Sequence, residues 1–318
     1  MSADSNAAAE YLQEFKEITS SYSPQQVYNA DETGLNFKAL PTKSLASREE
    51  KSAPGFKMDK QRLTVLACSN ASATNKIPLM VIDKLRLHKK PLCFKNMNMN
   101  ALPVYYKNQK KAWMDRALFQ EWFEKQFVPN VRAYNEENGL PDRALLLIDN
   151  APSHPDDLEL VIGDIKAIFL PPNVTSIIQP MDQGVLQALK QNYRKKLLRS
   201  LLEENEDLTI LQKLKKITIK DVIFWVAEAW ENTSVGALQK SWKNLWPDLQ
   251  FVEEVVPPEY TDEDIVAQVQ GVPADDSCSS EDEGDAQTTD IVPHSAAASA
   301  FDLALRYVEQ HAAATPND

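Results

Sequence analysis

Apolar and polar positions along this chain repeat with two periods, and the switches between them outline the elements. Between Ala7 and Ser20, Tyr11, Leu12, Phe15 and Ile18 recur at helical spacing, and the Ser-Pro turn at Pro24 stops that helix. A strand follows from Val27 through Asp31, with Gly34 just beyond it as the place for a turn or bulge. Two β-branched apolar runs, Arg62–Ser69 and Ile77–Ile82, predict an antiparallel hairpin. Leu118, Trp122, Phe123 and Phe127 then form a helical stripe starting at Asp115, which Pro129 either kinks or ends. Asn138-Gly139 stops that pattern before Arg143-Ala-Leu-Leu-Leu-Ile148, a continuous apolar run that ends on Asp149. Such a run predicts a strand buried on both faces of a sheet.

Beyond His154-Pro155 the pattern predicts a short helix around Asp157–Ile162 and a strand at Lys166–Leu170, broken by Pro171-Pro172. A long helix runs from Pro180 to Glu203, with Val185, Leu189, Tyr193 and Leu197 on one face. Lys190, Arg194, Lys195, Lys196 and Arg199 fall on its other face, either as a track for a DNA backbone or as a solvated surface. Two tryptophan-rich helices, Thr218–Asn232 and Val235–Trp246, complete the regular pattern, their rings read as packing residues.

This order of mixed strands and helices, with acids after the first and fourth strands and at the last long helix, predicts an α/β fold. Its class is an RNase H-like mixed sheet flanked by helices, with a helical C-terminal extension and a disordered acidic tail. The corresponding boundaries are residues 1–204, 205–252 and 253–318. Asp149, leaving a central strand, sits where open α/β sheets place their ligands. Two-metal phosphoryl transfer needs carboxylates from separate elements, because they hold two Mg²⁺ ions about 3.5–4 Å apart. Asp31, Asp149 and Asp182 meet that requirement. Three acids drawn from 46 carry little weight by themselves.

Charge changes the picture in one respect. The net charge of −12 is concentrated in the tail, where residues 253–318 hold 16 acids and one base, Arg306. The preceding 252 residues hold 33 bases and 30 acids, so the folded part is mildly basic. Within the tail, Ser279 and Ser280 each have an acid three residues on, as at acidophilic kinase sites. Cys68, Cys93 and Cys278 are too far apart in sequence for a CxxC pair, and a reducing compartment is expected. No apolar run has the length of a membrane span.

Several segments together resemble the catalytic domain of pogo-type DDE transposases, the Tigger, jerky and centromere-protein-B group. They are Asn29-Ala-Asp31-Glu-Thr-Gly34-Leu, Ala46-Ser-Arg-Glu-Glu-Lys51-Ser-Ala-Pro-Gly-Phe56, Arg62-Leu-Thr-Val, Leu102-Pro-Val-Tyr-Tyr106 and Lys111-Ala-Trp113-Met. Further along come Leu147-Ile-Asp149-Asn150-Ala-Pro-Ser-His154, Phe169-Leu-Pro-Pro-Asn173-Val-Thr-Ser176, Gln179-Pro-Met-Asp182-Gln-Gly184 and Ala227-Glu-Ala-Trp230. The resemblance implies a catalytic and metal-binding triad of Asp31, Asp149 and Asp182, with Mg²⁺ (or Mn²⁺) as cofactor. The 32 residues between the last two acids look like the family's spacing. It also implies a nuclear protein that cuts DNA at transposon ends and joins the 3′ ends to target DNA.

Members of the group typically carry two helix-turn-helix regions ahead of the catalytic domain, and here that domain begins almost at Met1. The chain is therefore expected to be a truncated transposase or a host-adopted remnant. The alternative to a DNA-cleaving enzyme is a domesticated, non-catalytic nuclear protein that binds DNA or chromatin proteins. Self-association is compatible with either, and a membrane partner with neither. Lys190, Arg194, Lys195 and Arg199 are the candidate DNA contacts, and the basic stretch from Lys84 to Lys95 is a second. Glu32, on the strand face opposite Asp31, is read as a hydrogen-bond or salt-bridge partner rather than a metal ligand. His154 is left open between a phosphate contact and a turn residue. Asn150 and Gln183 are candidate supports for the acids beside them.

Overall fold

The computed structural model describes residues 5–39, 61–84, 92–203 and 208–250, all within the unit Met1–Val255. The loop expected at 41–60, most of the basic stretch after Lys84 and the acidic tail with Ser279 and Ser280 lie outside the described residues.

Seven strands form one mixed sheet: β1 (Val27–Asn36), β2 (Arg62–Asn70), β3 (Lys76–Lys84), β4 (Tyr105–Gln109), β5 (Arg143–Ile148), β6 (Val161–Ile162) and β7 (Asp164–Phe169). Their order is β4-β3-β2-β1-β5-β7-β6. β1, β2 and β3 are antiparallel neighbours, whereas β5 runs parallel to both β1 and β7. An antiparallel β1–β2–β3 meander continued by parallel strands beyond β1 is the RNase H-like sheet that the sequence predicts.

Helices cover both faces. One face, bearing Leu35, Leu63, Val65 and Val81, packs on α5 (Val185–Glu203) and α7 (Ile219–Glu231). The other, bearing Tyr28, Ala30, Leu66 and Leu146, packs on α2 (Arg116–Trp122) and α3 (Val128–Glu137). A third cluster joins Phe15 of α1 (Ser5–Thr19) to Ile178 of α4 (Thr175–Ile178) and Trp242, which follows α8 (Val235–Ser241). α6 (Ile210–Lys216) sends Leu214 into the first core.

Three local expectations need correction. Gly34 makes neither turn nor bulge, because β1 runs straight through it, paired with Thr64. The irregularity lies in β2, between Leu66 and Cys68. Around Asp157 there is only one 3₁₀ turn, Asp157–Glu159, before Val161–Ile162 pairs with β7. The long helix begins at Val185, not Pro180, because Gly184 at φ 90° breaks it from a separate 3₁₀ turn, Pro180–Asp182. β4, β6 and α6 are further elements that the pattern did not predict.

Pro129 neither ends its helix nor leaves it regular. Residues Phe123–Phe127 widen into a π turn, in which the Val128 N–H donates to the Phe123 carbonyl. The wider turn carries the chain past a residue that lacks the N–H of the usual ladder. It also keeps Trp122, Phe123 and Phe127 buried together.

One lysine fixes α7 against the sheet. From the start of β3, Lys76 Nζ donates to the carbonyls of Trp230 (3.2 Å), Glu231 (2.7 Å) and Thr233 (2.9 Å), at the negative end of the helix dipole. Partial burial lowers its pKa, and the charge of Glu231 opposes that shift. Trp230 Nε1 adds a bond to the Ile77 carbonyl at 3.1 Å. Lys76→Met is expected to lower unfolding free energy by about 1–3 kcal/mol in urea denaturation. An unchanged midpoint would show that water satisfies these carbonyls equally well.

Candidate active site at the sheet edge

β1 and β5 bring the first two acids level. Their parallel register pairs Asn29 with Leu147, and continuing it two residues along each chain sets Asp31 beside Asp149. Asp31 lies just past this pairing, still bonded to β2 opposite Ala67. Asp149 is the first residue after β5.

Asn29 brings in the third acid. Its buried side chain donates to the Leu147 carbonyl (3.1 Å) and Gln179 Oε1 (3.4 Å), and its Oδ1 accepts the Met181 N–H at 2.8 Å. One amide thus ties together β1, β5 and the turn that carries Asp182. Pro180 at the head of that turn presets its backbone, and Gln183 Nε2 bonds the carbonyls of Ser176 and Gln179 at 3.3 Å. Asn244 Nδ2 holds Gln183 Oε1 in turn at 3.0 Å, so Gln183 braces the turn rather than touching the acids. Asn150 is exposed, with no partner among the described residues.

The acids feel one another. Asp31 is 8% exposed, and burial together with the charges of Asp182, Glu32 and Asp149 raises its pKa to about 8. Partial burial and the charge of Asp149 also raise Asp182, while a hydrogen bond with Asp31 and the charge of Lys190 oppose the rise. Burial and repulsion between the acids account for both rises, which the bond to Asp31 moderates at Asp182. Asp31 Oδ1 also accepts the Glu32 N–H at 2.8 Å.

Strand alternation turns Glu32 to the other face, where it meets His154. His154 is buried, with Nδ1 2.9 Å from the Asp149 carbonyl and Nε2 3.1 Å from Glu32 Oε1. A carbonyl and a carboxylate only accept, so both ring nitrogens donate and the ring is an imidazolium. Burial works against that charge, but hydrogen bonds to Asp149 and Glu32 outweigh it and lift the pKa to about 10. Phe119 packs on the ring at a centroid distance of 4.3 Å. His154 is therefore a brace between the two acid-bearing strands.

Asp149 Oδ1 lies 3.2 Å from His154 Nδ1, yet that N–H is directed to the main-chain carbonyl. Oδ1 is left buried without a hydrogen bond. A buried carboxylate oxygen without a hydrogen bond, beside two carboxylates whose pKa values are raised, is a donor set suited to a hard divalent cation. Among the described residues, no three His, Cys, Asp or Glu side chains are drawn close enough to cage an ion as they stand.

The four candidate DNA contacts do not form one stripe. Lys190 borders the acids, where burial and Arg194 lower its pKa against the opposing pull of Asp182 and Asp31. At about 100° per residue, Lys195 and Arg199 lie about 140–180° around α5 from Lys190. Lys196, between them, pairs with Glu228 of α7.

The model for the DDE superfamily endonucleases matches residues 60–242. The chain belongs to this family. The human jerky protein homolog is 36% identical over 256 residues, covering 79% of this chain and 43% of that protein. Human Tigger transposable element-derived protein 7 is 38% identical over 237 residues, covering 69% of this chain and 42% of that protein. The chain thus spans less than half the length of these relatives. In the solved Mos1 transposase paired-end complex with left transposon end, identity is 13% and the TM-score 0.39, covering 76% of this chain and 61% of that one. For the Mos1 catalytic domain with Raltegravir and Mg the values are 14% and 0.33, covering 78% and 94%. The fold assignment rests on sheet topology, not on these low scores.

The family match begins downstream of Asp31, which joins the other acids by register and electrostatics. The pattern had one signal for the supporting residues, a polar Asn29 inside an otherwise apolar strand. It had none for the Glu32–His154 bond, which spans 122 residues.

Both strongly shifted groups set the same sign of pH dependence. The stability contributed by the His154 proton is complete below about pH 6.5 and lost as pH rises through about 10. Folded Asp31 keeps a proton that the unfolded chain loses near pH 4, so rising pH through about 8 also costs stability. Without divalent cations, Tm is expected to fall between pH 6.5 and 10, and His154→Gln to flatten part of that fall. A wild-type Tm that holds level or rises would contradict this electrostatic assignment.

Proposed function

We propose that the chain is the catalytic core of a transposase-derived DDE endonuclease. It hydrolyses DNA phosphodiester bonds with Mg²⁺ or Mn²⁺ held by Asp31, Asp149 and Asp182, and it acts in the nucleus. Strand transfer by the freed 3′ end is the second reaction of the same site. The observation that carries the reading is the convergence of three carboxylates from separate elements on one sheet edge. Burial and mutual repulsion raise the pKa of two of them, and the third has a buried oxygen without a hydrogen bond, 3.2 Å from His154 Nδ1.

The donor set fits a hard divalent cation, which supplies Lewis-acid activation of the attacking oxygen and neutralises charge on the phosphate. The chain's own residues do the rest. Asn29 fixes the separation of the three acids, and the His154–Glu32 pair keeps Asp149 from swinging away. Lys190 and Arg194 offer positive charge to a phosphate approaching the acids. Among the described residues no helix is long and apolar enough to cross a membrane.

Purified protein incubated with supercoiled DNA and Mg²⁺ or Mn²⁺ should convert it to nicked circles. Asp149→Ala should reduce nicking to background without loss of the folded state. DNA binding with equal or absent nicking in both proteins would instead support a domesticated, non-catalytic protein acting on DNA or chromatin.

A further inference from the structure

Trp113 is the one exposed tryptophan among the described residues, at 57%. Its neighbours Ala112 and Met114 are buried. The backbone that presents it is held firmly. Ala112 sits in the left-handed region at φ 53°, a conformation that non-glycine residues adopt only when their surroundings impose it. Thr64 Oγ1 donates to its carbonyl at 2.6 Å, and its N–H bonds the Gln109 carbonyl at 3.1 Å. An indole held out in this way is a presented surface, not a frayed loop tip.

A guanidinium is stacked on it. Arg62 Cζ lies 4.2 Å from the Trp113 ring centroid. The room for this comes from Gly34, where an added Cβ would stand 2.9 Å from Arg62 Cδ. This accounts for a glycine in a straight strand that needs neither a turn nor a positive φ. No carboxylate among the described residues pairs with Arg62, nor with the exposed Lys110 and Lys111 beside Trp113. Among the described residues, then, the N–H fork of the guanidinium meets no carboxylate, and its planar geometry suits an anion such as phosphate.

Gly34 lies three residues beyond Asp31 in β1, so this pair sits about 10 Å along the strand from the acids. We infer that Arg62 and Trp113 form a nucleotide clamp, the indole stacking on an unpaired DNA base and the guanidinium taking the adjoining phosphate. An aromatic face serves any base, and the surrounding positive charge follows the backbone. The base must be out of the duplex stack, so the substrate segment at this point is single-stranded or frayed. The inference rests on the reading of the acids as a DNA-cleaving site and names the strand geometry presented there.

The test uses the full chain carrying Asp149→Asn, which keeps the DNA intact. Fluorescence anisotropy would compare a blunt duplex with the same duplex bearing a single-stranded overhang, with 2-aminopurine in the overhang to report stacking. Trp113→Ala is expected to weaken overhang binding by about 5- to 100-fold and to abolish 2-aminopurine quenching. Blunt-duplex affinity and Tm should stay as in the parent. Trp113→Phe should fall between the two, and Gly34→Ala, which displaces Arg62, should weaken overhang binding while leaving part of the quenching. Unchanged overhang binding in Trp113→Ala, or equal loss on both DNAs, overturns the clamp but leaves the endonuclease reading standing. A change in self-association instead of DNA affinity also overturns it, marking the ring as a protein contact. If the parent binds neither DNA, both readings fail together.

Discussion

Repulsion among carboxylates is the constraint around which this domain is built. Asp31 is buried, the charges of Asp182 and Asp149 both act on it, and Asp149 keeps a buried oxygen without a hydrogen bond. Left to themselves, such groups would turn apart toward water, because burying an unpaired charge costs several kcal/mol. The fold prevents this with ties to main-chain and amide groups and with one ion pair, His154 to Asp149. Asn29 joins both strands and the 180–182 turn through three hydrogen bonds, all away from the carboxylates. His154 braces Asp149 and Glu32 from the opposite face, and its charge remains one residue removed from Asp31.

The packing of the sheet serves the same end. The antiparallel β1–β2–β3 meander sets Asp31 within a long strand bonded to β2 along its whole length, so its main chain has little freedom. β5 contributes only a short parallel pairing, enough to set the register and then release the chain at Asp149. α5 begins just after Gly184 and packs its apolar stripe on the meander's face, which holds the Asp182 turn over the edge. Lys76 locks α7 behind it. The covered faces make the edge rigid, and rigidity lets like charges stay together.

Much of this was legible in the chain because the signals were local. The run ending at Asp149 announced a buried strand and its exit. The alternation through Val27–Asp31 separated Asp31 from Glu32. The RNase H-like order followed from element succession, and the family resemblance named the third acid. What stayed hidden depended on contacts across the sequence. Nothing near His154 signals a bond to a glutamate on another strand. Gly34 suggested a bend because its true neighbour, Arg62, is close only after the hairpin folds. The four basic residues of α5 looked like one face until the packed stripe showed which side of the helix borders the acids. β4 escaped notice because its residues are half-buried and polar, without the apolar alternation of a core strand.

In the proposed function, carboxylate repulsion is retained because a divalent cation relieves it. This is tested most directly by measuring Tm at pH 8.5 for wild type and Asp31→Asn, each with and without Mn²⁺. Removing one buried charge should make the metal-free variant more stable than metal-free wild type. Mn²⁺ should raise the Tm of wild type and leave the variant unmoved. An equal Mn²⁺ response in both proteins, or a metal-free variant less stable than wild type, would contradict the account.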